Sequence, residues 1–351
     1  VSGVATNSTT YTYGSTNVTL LALWEDTWIN HTTPFSGSGT EEDPYIIASA
    51  ENLAYLSKQV YDGVSRYQGK YFKQTADIDL TKYYWQPIGV ECNREAEYVY
   101  HYFSGVYDGN GYTISGLHTP KGSGSVYLAQ GLFGMVLQAS TTEIRNVTLE
   151  NVDVRGGDCV GGLAGWVLSI YDDKTVTIEN CSVNGKTYGD DSVGGLIGKI
   201  ETREKGIIEV INCDSDVSVG SLQEDIGGIV GNVENENGIG KIVISLCNNY
   251  GDVVTNSGTY VGGVVGCFEN TSSTTACLTL DQNANFGQIQ GMQDVGGIIG
   301  SARDIANITN NSNMGNVSII GGNNSVAGIA GYFYSGTMTG NTSFGDITGI
   351  N

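Results

Sequence analysis

The chain is predicted to be all-β: a solenoid of ~33-residue coils, three strands to a coil, with one N-terminal helix as its cap. Three observations predict this. Six near-copies of one hexapeptide recur, starting at Val160, Val193, Ile226, Val261, Val295 and Val326, with offsets of 33, 33, 35, 34 and 31 residues. They read VGGLAG, VGGLIG, IGGIVG, VGGVVG, VGGIIG and VAGIAG, and a weaker copy stands one period upstream at Gln130–Gly134. A second register runs through the same units: a β-branched run ends at Cys181, Cys213, Cys247, Asn283, Asn311 or Asn341, and a Gly-x-Val/Ile run follows. Third, no stretch between these runs has helical spacing, which excludes the helical repeats of similar period. Propeller blades need four strands and ~40 or more residues.

The elements follow in chain order. Residues 1–36 are rich in Thr, Ser, Asn and Tyr, with Trp24 and Trp28 near their end, and are expected to form an extended arm. FSGSGTEED at 35–43 is a turn cluster. Ser49 then has the chemistry of an N-cap, and Leu53, Tyr55, Leu56 and Val60 fall at helical spacing before Gly63. This helix is expected to cover the open end of the solenoid core, since terminal units need a cap. Strand-like pieces follow at 70–72, 75–80, 85–90, 103–106 and 112–117, and Asp108–Gly111 is a hairpin or corner turn. Residues 37–130 are therefore the cap and first irregular coils, and 131–351 the repeats. About ten coils at ~4.8 Å make the expected rod.

Within a hexapeptide counted from its first Val, position four is always Leu, Ile or Val and position eight is always apolar (Val167, Ile200, Val233, Phe268, Ala302, Phe333). Period-two alternation points positions four, six and eight inward and sends position seven (Trp166, Lys199, Asn232, Cys267, Ser301, Tyr332) to solvent. Position five has outward parity yet is apolar throughout. Either a corner tucks it in, or it forms an association stripe. The paired glycines mark corners, where a positive φ or a close backbone approach excludes a Cβ.

Composition limits function. Sixteen Lys and Arg against 37 Asp and Glu leave a net charge of −21. So few cations cannot neutralise a run of phosphates, so nucleic acid is not an expected partner. No run of ~18 apolar residues is present, and no direct membrane insertion is expected. Seven cysteines without a CxxC pair and three histidines (His31, His101, His118) argue against zinc and imidazole chemistry.

The hexapeptides resemble the GLUG-motif repeats of bacterial and archaeal adhesin-like cell-surface proteins. Upstream, GTEEDPYIIASAENLAYLSKQV, YQGKYFKQTADIDL, WQPIG and FSGVYDGNGYTISGL are similar to the lead-in that precedes such repeats. The resemblance covers roughly residues 37–351. It implies a right-handed parallel β-helix on an extracellular, surface-attached protein, and it transfers no catalytic residue.

Candidate chemistry is sparse. The Cys-to-Asn column is expected to be buried thiols grading into a stack of hydrogen-bonded amides, with a disulfide as the alternative. Acidic residues gather before the hexapeptides. Asp158, Asp191 and Asp225 are the candidate calcium ligands, and a solvated acidic edge is the other reading. Tyr98, Tyr100, Tyr102 and Trp85 are candidates for a sugar-stacking platform. No carboxylate pair, basic constellation or serine or cysteine triad stands out, and no cofactor is expected. The leading expectation is a non-enzymatic adhesin-like or stalk module whose partner is a host or microbial surface protein or a glycan. The alternative is a carbohydrate-binding or polysaccharide-cleaving β-helix. The last unit stops just before the next glycine pair is due, so the chain is expected to continue into further domains beyond Asn351, or another chain to cover this end.

Overall fold

A computed structural model describes residues 8–13, 16–21, 26–94, 97–120, 129–138, 141–171, 174–236, 239–270, 277–321 and 324–350. Trp24 lies outside them. Parallel strands of successive coils stack in register into sheets of seven, fifteen and thirteen strands, the fifteen-stranded one taking two strands from a coil, such as Ile197–Arg203 and Ile207–Ile211. The result is a parallel β-solenoid of about 8 turns, fewer than the ten that repeat counting suggests.

The regular coils carry four or five strands rather than the expected three. In one coil these are Val193–Gly194, Ile197–Arg203, Ile207–Ile211 and Asp214–Ser221. The hexapeptide is split by a corner, which the sequence pattern conceals because both halves are apolar. At that corner Leu196 and Ile197 are both fully buried, as are Ile229 and Val230, Val264 and Val265, Ile298 and Ile299. Position five is thus core, and the association-stripe reading falls.

The hexapeptide glycines serve close approach rather than positive φ. A Cβ on Gly198 would collide with the Val160 backbone of the preceding coil, and Gly231 and Gly266 meet the same obstacle at Val193 and Ile226. Left-handed backbone falls instead on the residue just before the hexapeptide, at Ser192, Asp225, Tyr260 and Asp294, with φ of 47–56°. A second left-handed column (Asn146, Asn180, Asn212, Leu246, Gln282, Asn310) turns the chain just before the Cys/Asn column. Asn tolerates this conformation best among residues with a Cβ.

Inside, the Cys/Asn column is as expected. Cys181, Cys213 and Cys247 are buried free thiols. Asn283 Nδ2 donates to Ile244 O at 2.9 Å and to Asn311 Oδ1 at 3.0 Å, and Asn311 Nδ2 continues to Asn341 Oδ1 at 3.0 Å. A second amide ladder, not foreseen, runs from Asn249 to Asn285 (2.8 Å) and Asn313 (2.7 Å), each amide also donating to the carbonyl two residues on.

The N-terminal end is irregular. Helix α1 (Ala50–Tyr61) starts at Ser49, whose hydroxyl accepts from Asn52 N, and buries Leu53, Leu56 and Val60 against the core. The Asp108–Gly111 turn is a corner between strands of two sheets, with Asp108 Oδ1 accepting from Asn110 N at 2.8 Å. Two antiparallel ribbons depart from the solenoid: Ser8–Tyr13 with Thr16–Leu21, and Val90–Arg94 with Glu97–His101. In place of the strand expected at 85–90, Trp85 is buried and its indole N–H donates to Leu132 O at 3.0 Å.

Candidate functional site

The second strand of each coil points position eight into the core and positions seven and nine outward. In-register pairing aligns position seven as Met135, Trp166, Lys199, Asn232, Cys267, Ser301 and Tyr332. Position nine aligns Leu168, Glu201, Glu234 and Glu269. Contrary to the expectation of free solvent exposure, Asn232, Cys267 and Ser301 are buried. The left-handed turn residues close over this strip: Asn232 Nδ2 donates to Asp225 Oδ2 at 2.5 Å, and the Arg303 guanidinium lies 4.1 Å from the Tyr260 ring centre.

Charges within the strip satisfy one another. Lys199 bridges Glu234 at 2.5 Å and Glu201 at 3.4 Å, Arg203 bridges Glu201 and Glu236, and Arg303 pairs with Glu269. Burial disfavours the Lys199 ammonium, but the two carboxylates outweigh it and hold its pKa above the usual lysine range. Lys199 also lies 5.3 Å from the Trp166 ring centre, and Trp166 meets Tyr100 edge-on at 6.5 Å.

Asp225 is the exception. Burial, with Asp191, Glu269 and Glu224 nearby, pushes its carboxyl up to about 7 despite the Asn232 hydrogen bond. Its Oδ1 and the Oδ1 of Asn232 have no hydrogen-bond partner. Burial also raises the Asp191 carboxyl, with Glu224 and Asp158 adding to it. The structure therefore brings Asp191 and Asp225 onto one acidic edge with Asp158. Among the described residues, no group of three or more His, Cys, Asp or Glu side chains is placed to hold a metal ion.

The proposed aromatic platform is dispersed. Trp85 belongs to the core, because its indole fills space between irregular coils. Tyr100 is exposed beside Trp166. Tyr102 is half-buried beneath Arg66, whose guanidinium lies 4.3 Å from its ring centre. The Tyr98 side chain lies outside the described part. Sequence reasoning missed the strip itself. Its signal was the alternation Lys199-Ile-Glu201-Thr-Arg203, which places three charges on one face of a strand. The histidine rings are engaged elsewhere: His31 with Asp26, His101 with Tyr61 O and His118 with Gly116 O.

No family model matches the chain. Three curated proteins are similar to parts of it. A Gly-rich membrane protein of Evansella cellulosilytica is 30% identical over 46% of this chain and 20% of its own length. Halomucin of Haloquadratum walsbyi is 32% identical over 48% of this chain and 2% of its own. An immunoglobulin A1 protease of Streptococcus sanguinis is 27% identical over 65% of this chain and 9% of its own. The chain thus spans at most a fifth of these relatives. Among solved structures, a Bacteroides ovatus protein named as an immunoglobulin A1 protease superposes with a TM-score of 0.60 at 19% identity, covering 90% of this chain and 86% of that one. That likeness is one of architecture.

Proposed function

We propose that this chain is an extracellular, surface-displayed module that binds rather than catalyses, its solenoid holding a strip of charged and aromatic side chains for adhesion to a surface protein or glycan. The observation that carries this reading is the strip itself: Trp166 with Lys199, and Glu201 with Glu234 and Glu269, stand in strand register, and Lys199 and Arg303 pair with the glutamates. Such an array is rigid before any partner arrives, which lowers the ordering cost of binding. The repeats resemble GLUG-motif surface proteins, and the relatives include a membrane protein and a halomucin, which agrees with a cell-surface setting.

A catalytic reading has one observation in its favour: the Asp225 carboxyl titrates near neutrality beside unpartnered oxygens, as a general acid would. The relatives named as immunoglobulin A1 proteases add to it. One experiment separates the two. Beads coated with the chain are expected to adhere to cell-surface or mucin-type glycoprotein layers. Trp166→Ala with Tyr332→Ala should lower adhesion several-fold while the far-ultraviolet spectrum stays that of β-structure. Product release from immunoglobulin A1 or from polysaccharides, abolished by Asp225→Asn, would overturn the binding reading.

A further inference from the structure

At the seam between the irregular end and the first regular coils lies a recess of about 270 Å³, lined by Arg66, Tyr102, Ser104, Leu137, Gln138 and Tyr171 among others. Its floor is Gln138, whose side chain is fully buried. The amide oxygen is used twice, accepting from Ser169 Oγ at 2.6 Å and from Tyr171 N at 3.1 Å. The Tyr171 N–H can only donate, so the amide cannot be flipped. Its Nε2 is left with no partner. A buried, unpaired donor costs about 1–3 kcal/mol unless a ligand meets it.

Arg66 stands at the mouth. The chain has more than twice as many acids as bases, and the side chains of Arg145, Arg155, Arg203 and Arg303 each sit on a carboxylate. Arg66 is stacked on Tyr102 instead and has no carboxylate at ion-pair distance among the described residues. Ser104 is already committed, its hydroxyl donating to Leu137 O at 2.8 Å. The recess thus sets a guanidinium with no carboxylate partner beside two tyrosine rings, one of them 48% exposed, with the Gln68 amide also in its lining. Asp172 and Asp173, which follow Tyr171 in sequence, lie outside the described residues.

We propose that this recess binds the carboxylate-bearing ring of an acidic sugar. The planar guanidinium fork of Arg66 matches a carboxylate, and Tyr102 and Tyr171 pack against the C–H face of the same ring. The volume falls just under the ~300 Å³ at which drug-sized sites begin, which suits one ring rather than an oligomer. This deepens the binding reading above and rests on it.

Saturation-transfer NMR with methyl glucuronide, using methyl glucoside and acetate as controls, tests it. The glucuronide is expected to bind and the glucoside to bind at least about tenfold more weakly. Arg66→Gln, at an exposed position where folding is not at stake, should weaken glucuronide binding about tenfold. Absence of glucuronide binding, equal binding of the glucoside, or indifference to Arg66→Gln overturns the proposal. Displacement by equimolar acetate overturns its sugar part. Bead adhesion without glucuronide binding removes the recess and keeps the adhesive strip. Glucuronide binding without adhesion does the reverse.

Discussion

Residues 26–120 and residues 129–350 fill the inside of one solenoid with different side chains. The irregular end uses rings: Phe72 meets Phe103 at 5.7 Å, Phe103 meets Phe133 at 5.2 Å, and Tyr107 meets Phe133 at 5.7 Å, all fully buried or nearly so. The regular coils use small aliphatic columns, such as Val136, Val167, Ile200 and Val233, beside the two amide ladders. Identical neighbours at strand spacing fill space by repetition. Where neighbours differ, a large ring spans the gap. The difference bears on the proposed site, because the recess lined by Arg66, Tyr102, Gln138 and Tyr171 lies where the irregular end meets the first regular coils.

The sharpest break of this comparison is Phe133→Ala. Phe133 belongs to the first copy of the repeat but packs on the rings of the irregular end, so its removal should cost about 3–5 kcal/mol. Denaturant titration reads this, and a loss below that of Ile200→Ala would show that the ring cluster is no special support.

This divide also explains what the sequence disclosed. The period, the inward columns and the Cys/Asn ladder were legible because each coil faces the same constraint, such as the backbone of the previous coil beneath Gly198. The split of the hexapeptide was hidden, since two consecutive buried residues at a corner look like an alternation error. The Val90–His101 ribbon and the burial of Trp85 were hidden because they depend on unique neighbours. The second ladder had a signal that went unread: Asn249-Tyr-Gly251, Asn285-Phe-Gly287 and Asn313-Met-Gly315 repeat in register. The charged strip was obscured because solvent-side positions vary from coil to coil.

The amide ladder gives the next prediction. Asn311 Oδ1 accepts from Asn283 N and Nδ2, and its Nδ2 donates to Leu280 O and Asn341 Oδ1. Asn311→Ala strands these partners in the core and should cost about 2–4 kcal/mol. Cys213→Ala at the equivalent position removes a weak donor and some volume, and should cost about 1 kcal/mol. Equal losses in thermal melts would mean that the thiol and amide halves of the column do the same job.

The most specific effect depends on pH and vanishes in acid. The Asp225 carboxyl titrates at about 7 when folded, against an ordinary value of 3.8. The folded chain therefore keeps this proton where the unfolded chain has lost it. The stabilisation is fully present below pH ~4 and is lost as pH rises toward 7. Asp225→Asn removes the charge but keeps an acceptor for Asn232, and Asn suits the φ of 54° at this position. It should be near neutral at pH 4 and stabilising by roughly 2–4 kcal/mol at pH 8. The carboxyls of Asp191, Glu224 and Glu269 face the same edge and Arg303 lies beyond, so part of the pH dependence stays with them. Thermal melts of both proteins across this range check the sign. A variant that loses stability at pH 8 would show that the Asp225 carboxylate is ionised and held by a partner there.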